Sequence, residues 1–98
     1  MTIEVWEQEG IEEEYPITVS AESKTLYAYP YKWFIVDVYN GGPDEVKVMT
    51  NKTALPNAIT LDNRQTREFG TEKKPTIWRV EVRAEAGKTA TVKITTRR

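Results

Sequence analysis

Between Leu26 and Val48 the chain reads LYAYPYKWFIVDVYNGGPDEVKV, and no other stretch limits the fold so much. It holds six of the ten aromatic residues, the longest run of β-forming side chains and the clearest turn, Asn40-Gly41-Gly42-Pro43-Asp44. Side chains alternate across a strand, so Phe34, Val36 and Val38 share one face while Trp33, Ile35, Asp37 and Tyr39 share the other. Asp37 decides which face is buried, because an unpaired carboxylate in an apolar core is strongly unfavourable. The expected core face is therefore Phe34, Val36 and Val38, which turns Trp33, Ile35 and Tyr39 towards solvent. The glycine-rich turn should close a hairpin and hold at least one residue at positive φ.

The rest of the chain repeats this pattern in shorter pieces. Ile3 and Val5 alternate with Glu4 and Trp6, and Glu9-Gly10 turns the chain into the acidic run Glu12-Glu13-Glu14. Ile17, Val19 and Ala21 alternate with Thr18 and Ser20, and a polar break at Glu22-Ser23-Lys24 precedes the aromatic stretch. Pro30 cannot donate to a ladder, so a kink is expected there. Val46, Val48 and Thr50 are expected inside, with Lys47 and Met49 outside, before a loop from Asn51 to Asn57. Ile59 with Leu61, and Thr66 to Phe69, read as short strands. In Thr76 to Ala84 the residues Trp78, Val80, Val82 and Ala84 form an apolar face against Ile77, Arg79, Glu81 and Arg83. Ala90, Val92 and Ile94 close the series after the Ala86-Gly87-Lys88 turn. No window of eleven residues carries a helical period. The chain is expected to be all-β: a single domain over residues 1–98, an immunoglobulin-like antiparallel β-sandwich of seven to nine short strands, with a small β-barrel as the alternative.

Composition excludes more than it proposes. At 98 residues the chain is long enough to bury a core without covalent staples. It has neither cysteine nor histidine, which removes disulfides, thiolate metal sites, the histidine-dependent triads and the usual general base at neutral pH. No enzyme activity, metal or cofactor is expected. No apolar run approaches the roughly 20 residues needed to cross a membrane as a helix, and the acidic N-terminus lacks a signal-peptide pattern. A complete chain would then be cytoplasmic, and an excised module extracellular. Charge is lopsided: residues 1–45 hold ten acids and two bases, residues 46–98 five acids and twelve bases. Either strands from the two halves interleave and the charges mix, or opposed acidic and basic poles favour head-to-tail self-association that salt weakens.

One resemblance emerges from these residues. Phe34-x-Val36-x-Val38-x-Asn40-x-Gly42, followed by Val46-x-Val48 and later by Ala86-Gly87-x-x-Ala90-x-Val92-x-Ile94, resembles the cell-adhesion-related domain of bacteria and archaea and its immunoglobulin-like relatives. The likeness covers about a third of the chain. It implies a spacer, adhesion or partner-binding module, and it brings no catalytic residue with it.

Short motifs add little. Gly87-Lys88-Thr89 matches the end of a phosphate-binding loop, but Val82 stands where the first glycine belongs and a strand follows instead of a helix. Asn51-Lys52-Thr53 is a glycosylation sequon on an expected loop. Successive residues of Glu12-Glu13-Glu14 diverge on a strand and make a poor calcium site. Lys73-Lys74 and Arg97-Arg98 are too short for nucleic acid binding, which is not expected. The aromatic row is the candidate site: Tyr27, Tyr29, Tyr31 and Trp33 at a period of two, with Ile35 and Tyr39 beside them and Trp6 as a further member. It is expected to bind a protein partner or a second copy of the chain, since Tyr and Trp favour association surfaces. The alternative is a carbohydrate platform, with Asp37, Lys32 and Asn40 supplying polar contacts. The remaining possibility is that the tyrosines merely cover the sandwich edge.

Overall fold

The computed structural model describes residues 12–20, 23–29 and 31–98. Eight strands follow one another: β1 Glu12–Val19, β2 Lys24–Tyr27, β3 Ile35–Pro43, β4 Val46–Thr50, β5 Ile59–Leu61, β6 Thr66–Gly70, β7 Arg79–Arg83 and β8 Ala90–Arg97. A 3-10 turn, Leu55–Asn57, interrupts the loop before β5. The strands form two four-stranded antiparallel sheets, β1-β8-β3-β6 and β2-β7-β4-β5. This is the expected all-β sandwich, and the sheets do not close into a barrel. Its strand order refines the expectation: the chain crosses between layers at nearly every step, as in an eight-stranded jelly roll, whereas immunoglobulin-like sandwiches group their strands as ABED and CFG.

The core lies where the alternation places it for most strands. Val36 and Val38 of β3, Val46 and Val48 of β4, Val80 and Val82 of β7, and Ala90, Val92 and Ile94 of β8 are all buried, joined by Val19, Leu61 and Ala84. Ile17 and Leu26 pack partly against them. The segments proposed around Ile3, Trp6, Ala21 and Pro30 lie outside the described residues.

Two local phase slips overturn part of the reading. Trp33 and Ile77 form an isolated antiparallel bridge just before β3 and β7 begin, and both point into the core. Phe34 and Trp78, the next residues, are turned out of the core cluster and half-buried. Phe34 sits in a bend, its N–H donating to the Arg97 carbonyl at 2.7 Å and its own carbonyl accepting from the Thr71 N–H at 3.0 Å. In both segments strand alternation holds only as far back as Ile35 and Arg79. Met49 faces out from β4 as expected yet is buried, and Thr50 is only half-buried. The loop with the 3-10 turn packs on β4, so the outer face of that sheet is itself partly covered.

The Asn40 to Asp44 turn does not close a hairpin. β3 and β4 belong to different sheets, so the turn carries the chain from one layer to the other. Asn40 holds this crossing. Its buried Nδ2 donates to the carbonyls of Asp44 at 2.9 Å and Leu61 at 3.0 Å, while its Oδ1 accepts from the Gly42 N–H at 2.8 Å. Gly42 is at φ +80, the positive φ expected in this turn. Asp44 then ties the crossing to the start of β8: its N–H donates to the Thr89 carbonyl at 3.2 Å and its Oδ2 accepts from the Thr89 N–H at 2.9 Å.

Candidate functional site

The aromatic row divides into three parts. Trp33 is 1% exposed and belongs to the core, so it is not a surface anchor. Ile35 faces outward, on the opposite side of β3 from Val36, but is only 8% exposed. It lies between Arg97 and Gly70 in the neighbouring strands and shares a small cleft with Glu12, Glu72 and Arg97, whose aliphatic stem is long enough to cover apolar surface. Both residues leave the candidate surface. Burial of Trp33 follows from the slip at the Trp33–Ile77 bridge, and that of Ile35 from the groups around it.

Tyr27, Tyr29 and Tyr31 remain, exposed to 65%, 83% and 54%. Tyr27 ends β2, an edge strand, where it stands opposite Arg79 of β7. The backbone beyond it is anchored: the Ala28 N–H donates to the Trp78 carbonyl at 3.0 Å, and the Arg98 guanidinium donates to the Tyr29 carbonyl at 2.8 Å. Arg98 also pairs with Glu13 of β1 at 3.0 Å, and the Tyr15 hydroxyl donates to the same carboxylate at 2.9 Å. Burial first, and the bond to Glu13 second, push the Tyr15 phenol above its ordinary range. This network clasps the two sheets along the edge that carries the tyrosines. Tyr39, 40% exposed, stands apart on the outer face of the other sheet, between Lys93 and Thr66.

The polar groups that a sugar platform would need are not beside the rings. Asn40 is buried and spends its amide on the crossing. Asp37 lies on the outer face of the β1-β8-β3-β6 sheet, away from β2. Lys32, exposed in the connection after β2, is the one polar candidate still next to the strip. The sequon asparagine is also committed. Asn51, at φ 51, donates from Nδ2 to the Thr76 carbonyl at 3.0 Å and accepts at Oδ1 from the Trp78 N–H at 2.9 Å, so its amide is not free for a glycan in the folded chain.

Two charged clefts were not visible as motifs. On the outer face of the first sheet, Glu12, Asp37, Glu68 and Glu72 line a cleft of about 160 Å³ with Thr95 and Arg97. Burial, then the charge of Glu12, raises the Asp37 carboxyl above the usual range, with Arg97 partly opposing. On the outer face of the second sheet, Lys47, Arg83 and Leu55 line a cleft of about 320 Å³ with Ala84, Glu85 and Ala86. Both depend on strand register, which pairs residues far apart in sequence. No cluster of three metal-ligating side chains occurs among the described residues, and none of their helices is long and apolar enough to cross a membrane.

No family model and no curated protein matches the sequence. Among solved structures the chain is similar to a de novo designed double-stranded β-helix determined by solution NMR. The TM-score is 0.62 at 13% identity, over 86% of this chain and 97% of the design. At that identity the likeness concerns the fold alone, and it agrees with the jelly-roll strand order.

Proposed function

We propose that this domain is a non-catalytic interaction module that binds a protein partner through Tyr27, Tyr29 and Tyr31. The observation that carries this reading is the exposure of three phenols within five residues on a backbone held by Arg98 and Trp78. Tyrosine offers a large, amphipathic contact area, and a strip already fixed in shape loses little entropy on binding. The resemblance to adhesion-related modules points to the same kind of use. A sugar platform is disfavoured by the internal commitment of Asn40 and the remoteness of Asp37.

The test is a photo-crosslinking side chain at position 29, with a control at exposed Asn63, in the organism that makes the protein. A polypeptide captured from 29 and not from 63, whose affinity falls about 30-fold or more on Tyr29→Ala, supports the reading; such a loss is that of an interface anchor. Equal capture at both positions, together with a glycan array signal that Tyr29→Ala abolishes, would replace it with the carbohydrate reading.

A further inference from the structure

The two sheets differ in charge. Strands β1, β3, β6 and β8 hold five acids against three bases, net −2, whereas β2, β4, β5 and β7 hold four bases against one acid, net +3. Interleaving has mixed the two halves of the chain, as the pairs Lys93–Glu14 at 3.3 Å and Arg97–Glu72 at 3.1 Å show. What remains is more specific. Asp37 stands directly opposite Glu68 on the outer face of the first sheet, and Lys47 directly opposite Arg83 on the outer face of the second. Like charges so placed destabilise a sheet. None of the four forms an ion pair among the described residues, whereas Arg79 is paired with Glu81 and Lys88 with Glu85.

The molecule thus carries an acidic cross-strand pair on one outer face and a basic one on the opposite face, neither closed by an ion pair among the described residues, with Arg97 alone lining the acidic cleft and Glu85 alone the basic one as opposite charges. We propose that copies of this chain stack head to tail, the Asp37–Glu68 face of one against the Lys47–Arg83 face of the next. Contact between the faces supplies each like-charged pair with counter-charges beyond the single one its cleft holds. Using different patches on the two partners, the arrangement is heterologous, and because the patches lie on opposite sides of the sandwich it does not close on itself as a two-fold dimer does. Strands about 4.8 Å apart and three to nine residues long at about 3.3 Å each give a face of roughly 200 to 600 Å². That is below the roughly 800 Å² per partner of a stable interface, so the association is weak and concentration-dependent. Tyr27 shares the outer face of the second sheet with Lys47 and Arg83, at its β2 edge, but the tyrosine strip contributes to neither charge pair.

Sedimentation equilibrium of the intact chain tests this. At about 10 mM ionic strength, where charges act over about 30 Å, the weight-average mass should climb from 11.3 kDa with concentration; at 1 M salt, where they act over about 3 Å, it should return to 11.3 kDa. Glu68→Lys and Arg83→Glu should each abolish the climb. Each substitution places opposite charges across a strand pair, so both variants should resist denaturant at least as well as the parent. Mixed together they should form a dimer and nothing larger, since Glu68→Lys keeps its basic face and Arg83→Glu its acidic one. A parent mass constant at low salt, a climb that survives 1 M salt, a parent that stops at a dimer, or a mixture that stays monomeric would each overturn the proposal.

Discussion

Trp33 and Ile77 exchange backbone hydrogen bonds at one end of the sandwich, the Trp33 N–H donating to the Ile77 carbonyl at 2.8 Å and the Ile77 N–H to the Trp33 carbonyl at 3.2 Å. The bridge joins the approach to β3 in one sheet with the approach to β7 in the other. Both side chains enter the core between the layers, and the residues that follow them are turned out.

Trp33→Ala should therefore cost about 3 to 5 kcal/mol, the range for removing a large aromatic from a core. The buried indole N–H has no acceptor among the described residues, so Trp33→Phe removes an unsatisfied donor along with some volume and should cost much less. Urea unfolding of both variants checks this. Equal losses for the two would show that the indole N–H is not a liability.

Asn40→Ala should destabilise by about 2 to 4 kcal/mol, because the Leu61 and Asp44 carbonyls and the Gly42 N–H all lose a partner in or near the core. Exposed Asn57→Ala serves as the control and should fall within about 0.5 kcal/mol of the parent. Denaturant midpoints at constant slope measure the difference.

Glycine positions separate strain from space. A Cβ on Gly70, at φ +94, would overlap the Phe34 carbonyl oxygen, a backbone atom with nowhere to go. Gly87, at φ +79, would meet nothing. Gly87→Ala should cost about 1 kcal/mol for the backbone conformation alone, and Gly70→Ala several times that. Thermal unfolding of the pair gives the comparison.

Asp37 gives a pH dependence of definite sign. Its carboxyl is raised above 3.8 in the folded chain, chiefly by burial and then by Glu12, so the folded state holds the proton more tightly than the unfolded one. Its contribution is fully present below the unfolded value and is lost as pH rises through the folded one. Asp37→Asn should accordingly raise the unfolding midpoint at neutral pH relative to the parent, with the advantage shrinking as pH falls through the raised folded value and gone below 3.8. Melting curves across that range decide it.

Much of the sandwich was legible because alternation reports directly on burial in strands that are covered on one face. Val36, Val38, Val80, Val82, Val92 and Ile94 required nothing more. Alternation ends where a strand ends, and nothing local marks Phe34 as a bend, so the period of two puts Trp33 on the solvent side when it belongs to the core. Facing was also mistaken for exposure at Ile35 and Met49, which point outward and are covered by groups distant in sequence. The exposed tyrosines were legible from spacing. The like-charge pairs were not, since Asp37 meets Glu68 and Lys47 meets Arg83 only through register. Strand order was equally hidden, because the Gly-Gly-Pro turn reads the same whether it closes a hairpin or crosses between layers.

The strand order also sets a timetable for folding. β8 lies between β1 and β3, and β7 between β2 and β4, so the last two of these eight strands to be made occupy interior places in their sheets. Before they emerge, β1 and β2 have no neighbour to pair with among the described strands; the ladder from Glu12 to Arg97 spans nearly the whole described chain. Among the described strands, β4 and β5 alone are consecutive and paired. Such non-local closure places folding in the millisecond-to-second regime typical of β-sandwiches. A nascent chain must hold its acidic β1 unpaired until β8 has been made, and truncation within β8 should leave an unfolded polypeptide instead of a smaller domain.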